Sequence, residues 1–594
     1  MFIRPILRIT KITVGLFPRS IRDMLKRVPK LTGFYRRLLI KNNLIREVVS
    51  VSQQTKRYHQ YLAEIDGNQS SKWKEDGDIF DILVCIENFD EKALSLTLKS
   101  IVKINNRRES HTYILCNDGL VKEVQDFIQK SGSVYTTLSV ISPELIVKNA
   151  LNINKALFFI RCGDSLNENV FRIFSDHESF SANIIYSDVD TLNIFGVREN
   201  PLFFPDWNPD LQMSTRYICT GFLVKSSQDF LKSFNCVVDF SMAADWISEQ
   251  YLLNDCLLVD HISQISVHKY YDDATKQSKA LSSTLHSLVS KVAVVEYDDT
   301  FNIFKYTWHI KDEPLVSLIV PTKNAKHLVE TLINSILTKT TYKNYEIILV
   351  DNNSDDIDSL QYFEELSNSG KIKLLKYPFP FNYSAINNYA VNFAKGQIIG
   401  FINNDIEVIE PAWLEILVSN VCRKDIGCVG AKLLYPNGLI QHAGVVMGYG
   451  GGAGHAHKYF SRNSPGYLKR IVATNNFSAV TAACMLVKKI DFLKVGGFNA
   501  EDLTVAFNDV DLCLKVLSLG KRNLYCADAV LYHHESISRG EDNTIEKQLR
   551  FNAEVCYIQN VWKDIIKNDP AYNVNLTLKF EDFTVLNNDE VVRL

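Results

Sequence analysis

The sequence predicts an α/β protein of two tandem units with mainly parallel sheets, preceded by a basic helical segment. Three observations carry this. Short apolar runs that end in polar tips alternate with stretches of helical period, the pattern of strand–helix–strand units whose sheet is covered by helices. The pattern occurs twice: DILVCIENFDEKALSLTLKSI matches VSLIVPTKNAKHLVETLINSI, YILCND matches IILVDN, and FFIRCGD matches FINNDI. Its spacing of about 240 residues is too long for a solenoid and reads as a duplicated domain. The chain, at 594 residues, also exceeds what one core supports.

Composition narrows the function classes. Hydrophobic residues make up 46% and charged residues 22%, ordinary for a globular protein, and a net charge of -3 gives no pull toward nucleic acid, so no nucleic-acid partner is expected. The twelve cysteines include no CxxC pair, and Cys85, Cys116 and Cys484 sit inside apolar runs. That predicts reduced, buried thiols in a cytoplasmic chain, with neither a disulfide framework nor a zinc site. No apolar stretch approaches the roughly 18 to 20 residues that span a bilayer.

Residues 1–65 form the first element. Up to Glu47, twelve basic residues (Arg4 to Arg46) face only Asp23 and Glu47, with apolar residues such as Ile3, Ile6, Leu7 and Leu38 interleaved. A basic segment of near-helical apolar spacing reads as a membrane-surface helix, and equally as a solvated helix packed on the next domain. Anionic lipid would contribute about 1 kcal/mol per basic residue held close to it. The polar stretch GNQSSKWKEDGD, residues 67–78, reads as a linker.

Residues 79–290 hold the first α/β unit. IFDILVCI, TYILCNDG and ALFFIRCGD are strands, the last two ending at Asn117-Asp118-Gly119 and Cys162-Gly163-Asp164, and IIYSDVD places Asp188 and Asp190 after another apolar run. Residues 315–540 repeat the plan. VSLIV leads into PTKN, YEIILV ends at Asp351-Asn352-Asn353, Asn382 caps a helix that runs to Gly396, and QIIGFI delivers Asn403-Asn404-Asp405. Residues 541–594 are expected to form a helical extension.

The second unit carries the chemistry. In open α/β sheets, ligands bind beyond the carboxyl ends of the strands, and a carboxylate there can hold a divalent cation against a diphosphate. Asp351 and Asp405 are so placed, although Asn-Asn-Asp is also good turn chemistry. In the first unit Asn117 stands opposite Asp351 and Gly163 opposite Asp405; Asp118 and Asp164, one residue on, leave a shifted site open. Downstream, the run from Gly448 to Gly454 holds five glycines, suited to a close backbone approach or a moving lid. His442, His455 and His457 read as ligands, acid–base groups or surface histidines. Asn508-Asp509-Val510-Asp511 reads as a helix start with an Asn cap, or as a general base aimed into the cleft. His533, His534 and Glu535 end a strand.

Taken in order, VSLIVPTKN, IILVDNNSDD, FINNDIEV, GLIQHAGVVMG, GAGHAH, AVTAACMLV, GGFNAEDLTVAFNDVDLCLKVLSLG and LYHHESISRG resemble the family 2 glycosyltransferases. The likeness is strongest to rhamnosyltransferase-like enzymes of O-antigen or capsular polysaccharide biosynthesis. The resemblance implies a GT-A (Rossmann-like) fold in both units and an inverting transferase of the hexosyltransferase class. It implies a nucleotide-diphosphate sugar donor and a glycan or lipid-linked glycan acceptor. By it, Pro321, Thr322 and Asp351 line the nucleotide pocket, with Asn403 and Asn404 beside them. Asp405 takes the last position of the DxD motif and holds Mg²⁺ or Mn²⁺, with Asn403 at the first position. Asp509 is the catalytic base, and His533 or His534 lies near the diphosphate. The resemblance extends to the first unit, read as degenerate, and to work on the cytoplasmic membrane face. The alternatives are a non-catalytic sugar-nucleotide or glycan-binding scaffold, and a metal-dependent hydrolase using the histidines.

Overall fold

The computed structural model describes residues 51–67, 80–105, 110–131, 137–148, 153–175, 182–193, 195–270, 277–534 and 544–587. The basic segment up to residue 50, most of the expected linker and Glu535 lie outside the described residues. The chain divides into two units between His59 and Gln60. The described part of the first is the opening of the helix Val51–Gly67.

The second unit contains two large sheets. The first comprises β1 (Asp81–Ile86), β2 (Thr112–Cys116), β3 (Leu138–Ile141), β4 (Leu157–Arg161), β5 (Ser165–Leu166), β6 (Ile184–Leu192), β7 (Arg198–Leu202), β8 (Phe222–Val224) and β9 (Val259–Tyr270). A hairpin, β10 (Ala293–Asp298) and β11 (Ile303–Trp308), follows. The second sheet is built from β12 (Val316–Thr322), β13 (Tyr345–Asp351), β14 (Lys373–Lys376), β15 (Ile398–Ile402), β16 (Ile406–Val408), β17 (Ile426–Leu434) and β18 (Ile440–His442). A small ribbon, β19 (Val445–Met447) with β20 (Ala453–His455), precedes its last strands, β21 (Asn475–Asn476), β22 (Cys484–Lys488) and β23 (Arg522–His533).

The two sheets have one topology. The first runs β3-β2-β1-β4-β8-β6-β9-β5 and the second β14-β13-β12-β15-β22-β17-β23-β16, with β7 on β6 and β18 on β17. Strand directions match pair by pair, including parallel β6–β9 and β17–β23 between antiparallel neighbours. The two sheets thus share one strand order, the plan that the sequence repeats. Each sheet opens with four parallel strands in the 3-2-1-4 order of a Rossmann half. The central strands are largely apolar and buried at every position, as expected of strands covered on both faces: β1, β4, β15 and β17 expose no residue, and Asp81, Arg161 and Lys432 are the charged residues among them.

Register corrects one pairing read from the sequence. Ser165 pairs with His268 as Ile406 pairs with His533. Asp164, not Gly163, is therefore the counterpart of Asp405, and His268 that of His533. A match of short apolar runs leaves a one-residue slip open, and strand pairing closes it. Two helix ends also differ. The helix capped by Asn382, whose Oδ1 accepts from Ala385 N at 2.9 Å, ends at Val391 well short of Gly396. The helix Asn508–Leu517 is preceded by Phe507 in the left-handed region, so Asn508 is not its cap and donates instead to Val505 O at 3.1 Å. After residue 543 two helices, Ile545–Val561 and Lys563–Lys567, give way to non-helical chain.

A buried ion network joins the two sheets' segments. Asp210 accepts from Arg423 at 2.5 Å and from Arg522; Asp425 accepts from Arg522, and Tyr251 OH donates to Asp425 at 2.9 Å. The two guanidinium groups hold Asp210 below the usual carboxylate range despite its burial.

Candidate functional site

The second sheet reverses its winding between β12 and β15, and ligands of open α/β sheets bind outside such a switch point. The tips of these two strands meet there. Asn404 Nδ2 donates to Thr322 Oγ1 at 3.0 Å, and Asn352 N–H donates to Thr322 O at 2.8 Å. Asp351, at the end of β13, accepts from Ser354 N at 3.0 Å. Thr322, Asp351, Asn352 and Asn404 are buried, and Pro321 is half-buried. Polar side chains packed this tightly form a fixed rim at the mouth of the switch point.

Asp405 faces a strand from the far side of the sheet. Its Oδ1 lies 3.1 Å from His533 Nε2, and both side chains are buried. On the other side of the ring, His533 Nδ1 donates to Gln441 Oε1 at 2.6 Å. An amide oxygen only accepts, so this bond places a ring proton on Nδ1 and turns Nε2 toward Asp405. Asn403 Nδ2 approaches the same nitrogen at 3.4 Å. The donor pair fits a divalent cation: one carboxylate oxygen and one oriented imidazole nitrogen at a strand tip. Among the described residues no third His, Cys, Asp or Glu joins such a group. His534 turns the other way. Its Nε2 lies 3.0 Å from Glu407 Oε2, with Lys339 beyond.

Asp509 reaches the same end of the sheet through residues 481–483. Its Oδ2 accepts from Ala482 N at 3.0 Å and its Oδ1 from Val510 N at 2.9 Å. Ala483 O accepts in turn from Asn403 N at 3.0 Å, and Tyr383 OH lies 3.2 Å from Ala482 O and 3.4 Å from Asn403 Oδ1. One short segment thus ties the strand tip to the helix N-terminus. Burial pushes the Asp509 carboxyl above the usual range, partly offset by the bonds from Ala482 and Thr481. The C-terminal helices brace this arrangement: Glu554 Oε1 accepts from Val505 N at 2.8 Å, and Trp562 Nε1 donates to Asp511 Oδ1 at 2.9 Å.

The corresponding positions of the first sheet are filled by protein. Asp164 accepts from Arg161 Nε at 3.3 Å and Thr220 Oγ1 at 2.7 Å. His268, the counterpart of His533, is paired with Asp190 instead, which also accepts from Arg198 at 2.7 Å. Asn117, opposite Asp351, holds Val238 N at 2.8 Å. Asp188 is a buried staple, accepting from Phe204 N, His261 Nε2 and Asn573 Nδ2.

Other candidates take structural places. The glycine run makes the tight β19–β20 turn. Gly448 has φ 93°, and a Cβ there would meet Leu578 Cδ1 at 2.7 Å and Ile566 O at 2.9 Å. The run thus packs on the C-terminal segment. His442 and His457 are fully buried, not surface residues; His442 Nδ1 meets His455 Nδ1 at 2.7 Å.

Sequence reasoning did not single out Gln441, Tyr383 or residues 481–483. Gln441 stood inside GLIQHAG, directly beside a histidine that drew attention. Nothing local marked it, because its partner is 92 residues away.

Residues 317–492 match the family described as Glycosyl transferase family 2. The protein y4gI of Sinorhizobium fredii is 39% identical over 425 residues, covering 68% of this chain and 46% of that protein. The O-antigen biosynthesis protein RfbC of Myxococcus xanthus is 34% identical over 421 residues, covering 67% of this chain and 32% of its own length. The chain thus spans less than half the length of either relative. A solved structure, GalNAc-T7 with UDP, GalNAc and Mn²⁺, is 14% identical with a TM-score of 0.37, covering 46% of this chain and 52% of that one. Among the described residues no helix is long and apolar enough to cross a membrane.

Proposed function

We propose, from the family 2 glycosyl transferase domain that this chain carries at residues 317–492, that the protein transfers a sugar from a nucleotide-diphosphate donor to a glycan or lipid-linked glycan acceptor, with inversion, in cell-surface polysaccharide biosynthesis. The observation that carries it is the placement of Asp405 and His533 at the sheet's switch point, bridged to Asp509 through Ala482 and Ala483.

In this reading Pro321, Thr322, Asp351 and Asn404 bound the nucleotide, and Asn403 and His533 stand beside the diphosphate. Asp405 and His533 would hold Mg²⁺ or Mn²⁺, which offsets charge on a leaving diphosphate. Asp509 accepts the acceptor hydroxyl's proton as that oxygen bonds the anomeric carbon and the bond from that carbon to the diphosphate oxygen breaks. Attack opposite the leaving group inverts the anomeric centre. His534, held by Glu407, has no part in this. The first unit is non-catalytic, since Arg161 already neutralises the counterpart of Asp405. The basic residues before 51 would hold the chain to the anionic cytoplasmic membrane face.

The test is nucleoside-diphosphate release from a panel of UDP-, dTDP- and GDP-sugars with Mn²⁺, Mg²⁺ or chelator, on wild type, Asp405→Ala and Asp509→Asn. Metal-dependent turnover of one donor, lost in both variants, is the expected result. Donor binding without turnover, with glycolipid acceptors present, would favour a binding scaffold. Release that needs no acceptor, at the rate of transfer, would favour a hydrolase.

A further inference from the structure

β17 and β23 pair in register from Val429 with Leu524 to Ala431 with Cys526, and resume at Lys432 with Val530. Residues 527–529 are looped out opposite Lys432. Bulges of this kind re-aim side chains. Here Lys432, only 7% exposed, lines a cavity of about 240 Å³ together with Lys305, Arg462, Glu410 and Asp528. Among the described residues its ammonium has no hydrogen-bond or ion-pair partner. The nearby acids are engaged elsewhere. Asp528 pairs with Lys305 at 2.9 Å, and Glu410 accepts from Ala412 N at 3.3 Å. Burial lowers the Lys432 ammonium to about 8, with Asp528 opposing and Lys305 and Arg462 reinforcing the shift.

A cation in a largely buried position is normally paired, and Asp528 acts on Lys432 without bonding it. Lys432 has the space for a partner, and Arg462 shares the wall. An adjoining cavity of about 340 Å³, lined in part by Lys305 and Asp528, extends past Tyr306 and Trp308 of the β10–β11 hairpin. Half-buried aromatic faces beside a few convergent polar groups suit an organic ligand.

We propose that the Lys432 cavity binds an oxyanion, carboxylate or phosphate, carried by a sugar-sized ligand. The site is formed by the β23 bulge, the β10–β11 hairpin and the helix Trp413–Val421, and it does not depend on the transferase reading.

The test is the melting temperature of the full chain, in chelator, titrated with inorganic phosphate, glucuronate and neutral glucose, for wild type, Lys432→Met and Arg462→Gln. Either anion should raise the wild-type midpoint, with half-saturation near or below about 1 mM, and glucose should not. A larger effect of glucuronate assigns a sugar carboxylate; a larger effect of phosphate assigns a phosphate group. Lys432→Met should abolish the shift while melting no lower than ligand-free wild type, because it removes a charge that burial disfavours. Arg462→Gln, at an exposed position, should weaken the response about tenfold, the loss of one charge-assisted hydrogen bond. No shift with either anion, an equal shift with glucose, or an undiminished shift in Lys432→Met would overturn the proposal.

Discussion

His533 Nε2 stands 3.1 Å from Asp405 Oδ1 because Gln441 Oε1, 2.6 Å from Nδ1, fixes the ring from behind. The three side chains come from the connection before β16, from β18 and from the end of β23. Pairing of Ile406 with His533 brings the first and last together, and β18 follows β17 alongside β23.

In the proposed metal site this arrangement makes Gln441 a positioning residue. Gln441→Leu frees the ring and its tautomer and should weaken Mn²⁺ binding by about 10- to 100-fold, the usual effect of losing a partner behind a metal ligand. Gln441→Glu, which keeps an acceptor, should retain most of the affinity. Mn²⁺ titration followed by electron paramagnetic resonance reads both, and equal affinity in Gln441→Leu and wild type would reject the role.

Asp509 sits where burial raises its carboxyl above the ordinary range. In the proposed role of base it acts ionised, so kcat/KM should fall as pH drops through that raised value, earlier on acidification than an ordinary carboxylate would require. Asp509→Asn should lower kcat by about 10²- to 10⁴-fold with donor affinity kept. Steady-state rates and donor titration separate the two; a variant that loses donor binding but not kcat would reassign Asp509 to the binding rim.

Asp164 offers the contrasting test. Its carboxylate is buried against Arg161, so Asp164→Asn should destabilise the fold by about 1.5–3 kcal/mol through loss of the charge-assisted bond. Turnover per folded molecule should not change. Urea unfolding and active-site-normalised rates measure the two effects, and a selective loss of turnover would make the first unit catalytic.

His261 lies between Asp188 and Asp206, at 2.9 and 3.2 Å, and the two carboxylates raise it to about 9 against the opposing effect of burial. A histidine whose folded value is raised contributes stability that is complete below its unfolded value near 6.5. That contribution is lost as pH rises toward the folded value. Urea midpoints should therefore fall between about pH 6.5 and 9 in wild type and fall less in His261→Gln. Parallel curves for the two proteins would show that His261 does not carry the dependence.

What the sequence by itself determined is local. Apolar runs with polar tips marked Asp351 and Asp405 as strand-end carboxylates, and the repetition of that plan foretold two sheets of one topology. Asp509 was legible as a helix start, since acidic residues favour that place. Tertiary structure decided the rest through strand register. A slip of one residue separates Gly163 from Asp164 as the counterpart of Asp405, and only the pairing of Ser165 with His268 resolves it. His533 and His534 are adjacent in sequence, yet opposite sheet faces send one to Asp405 and the other to Glu407. Gln441 and Lys432 gain their meaning from partners and bulges on β23, about 90 residues or more away along the chain. Such contacts depend on which strands lie side by side, a property of the assembled sheet that no short window of sequence encodes.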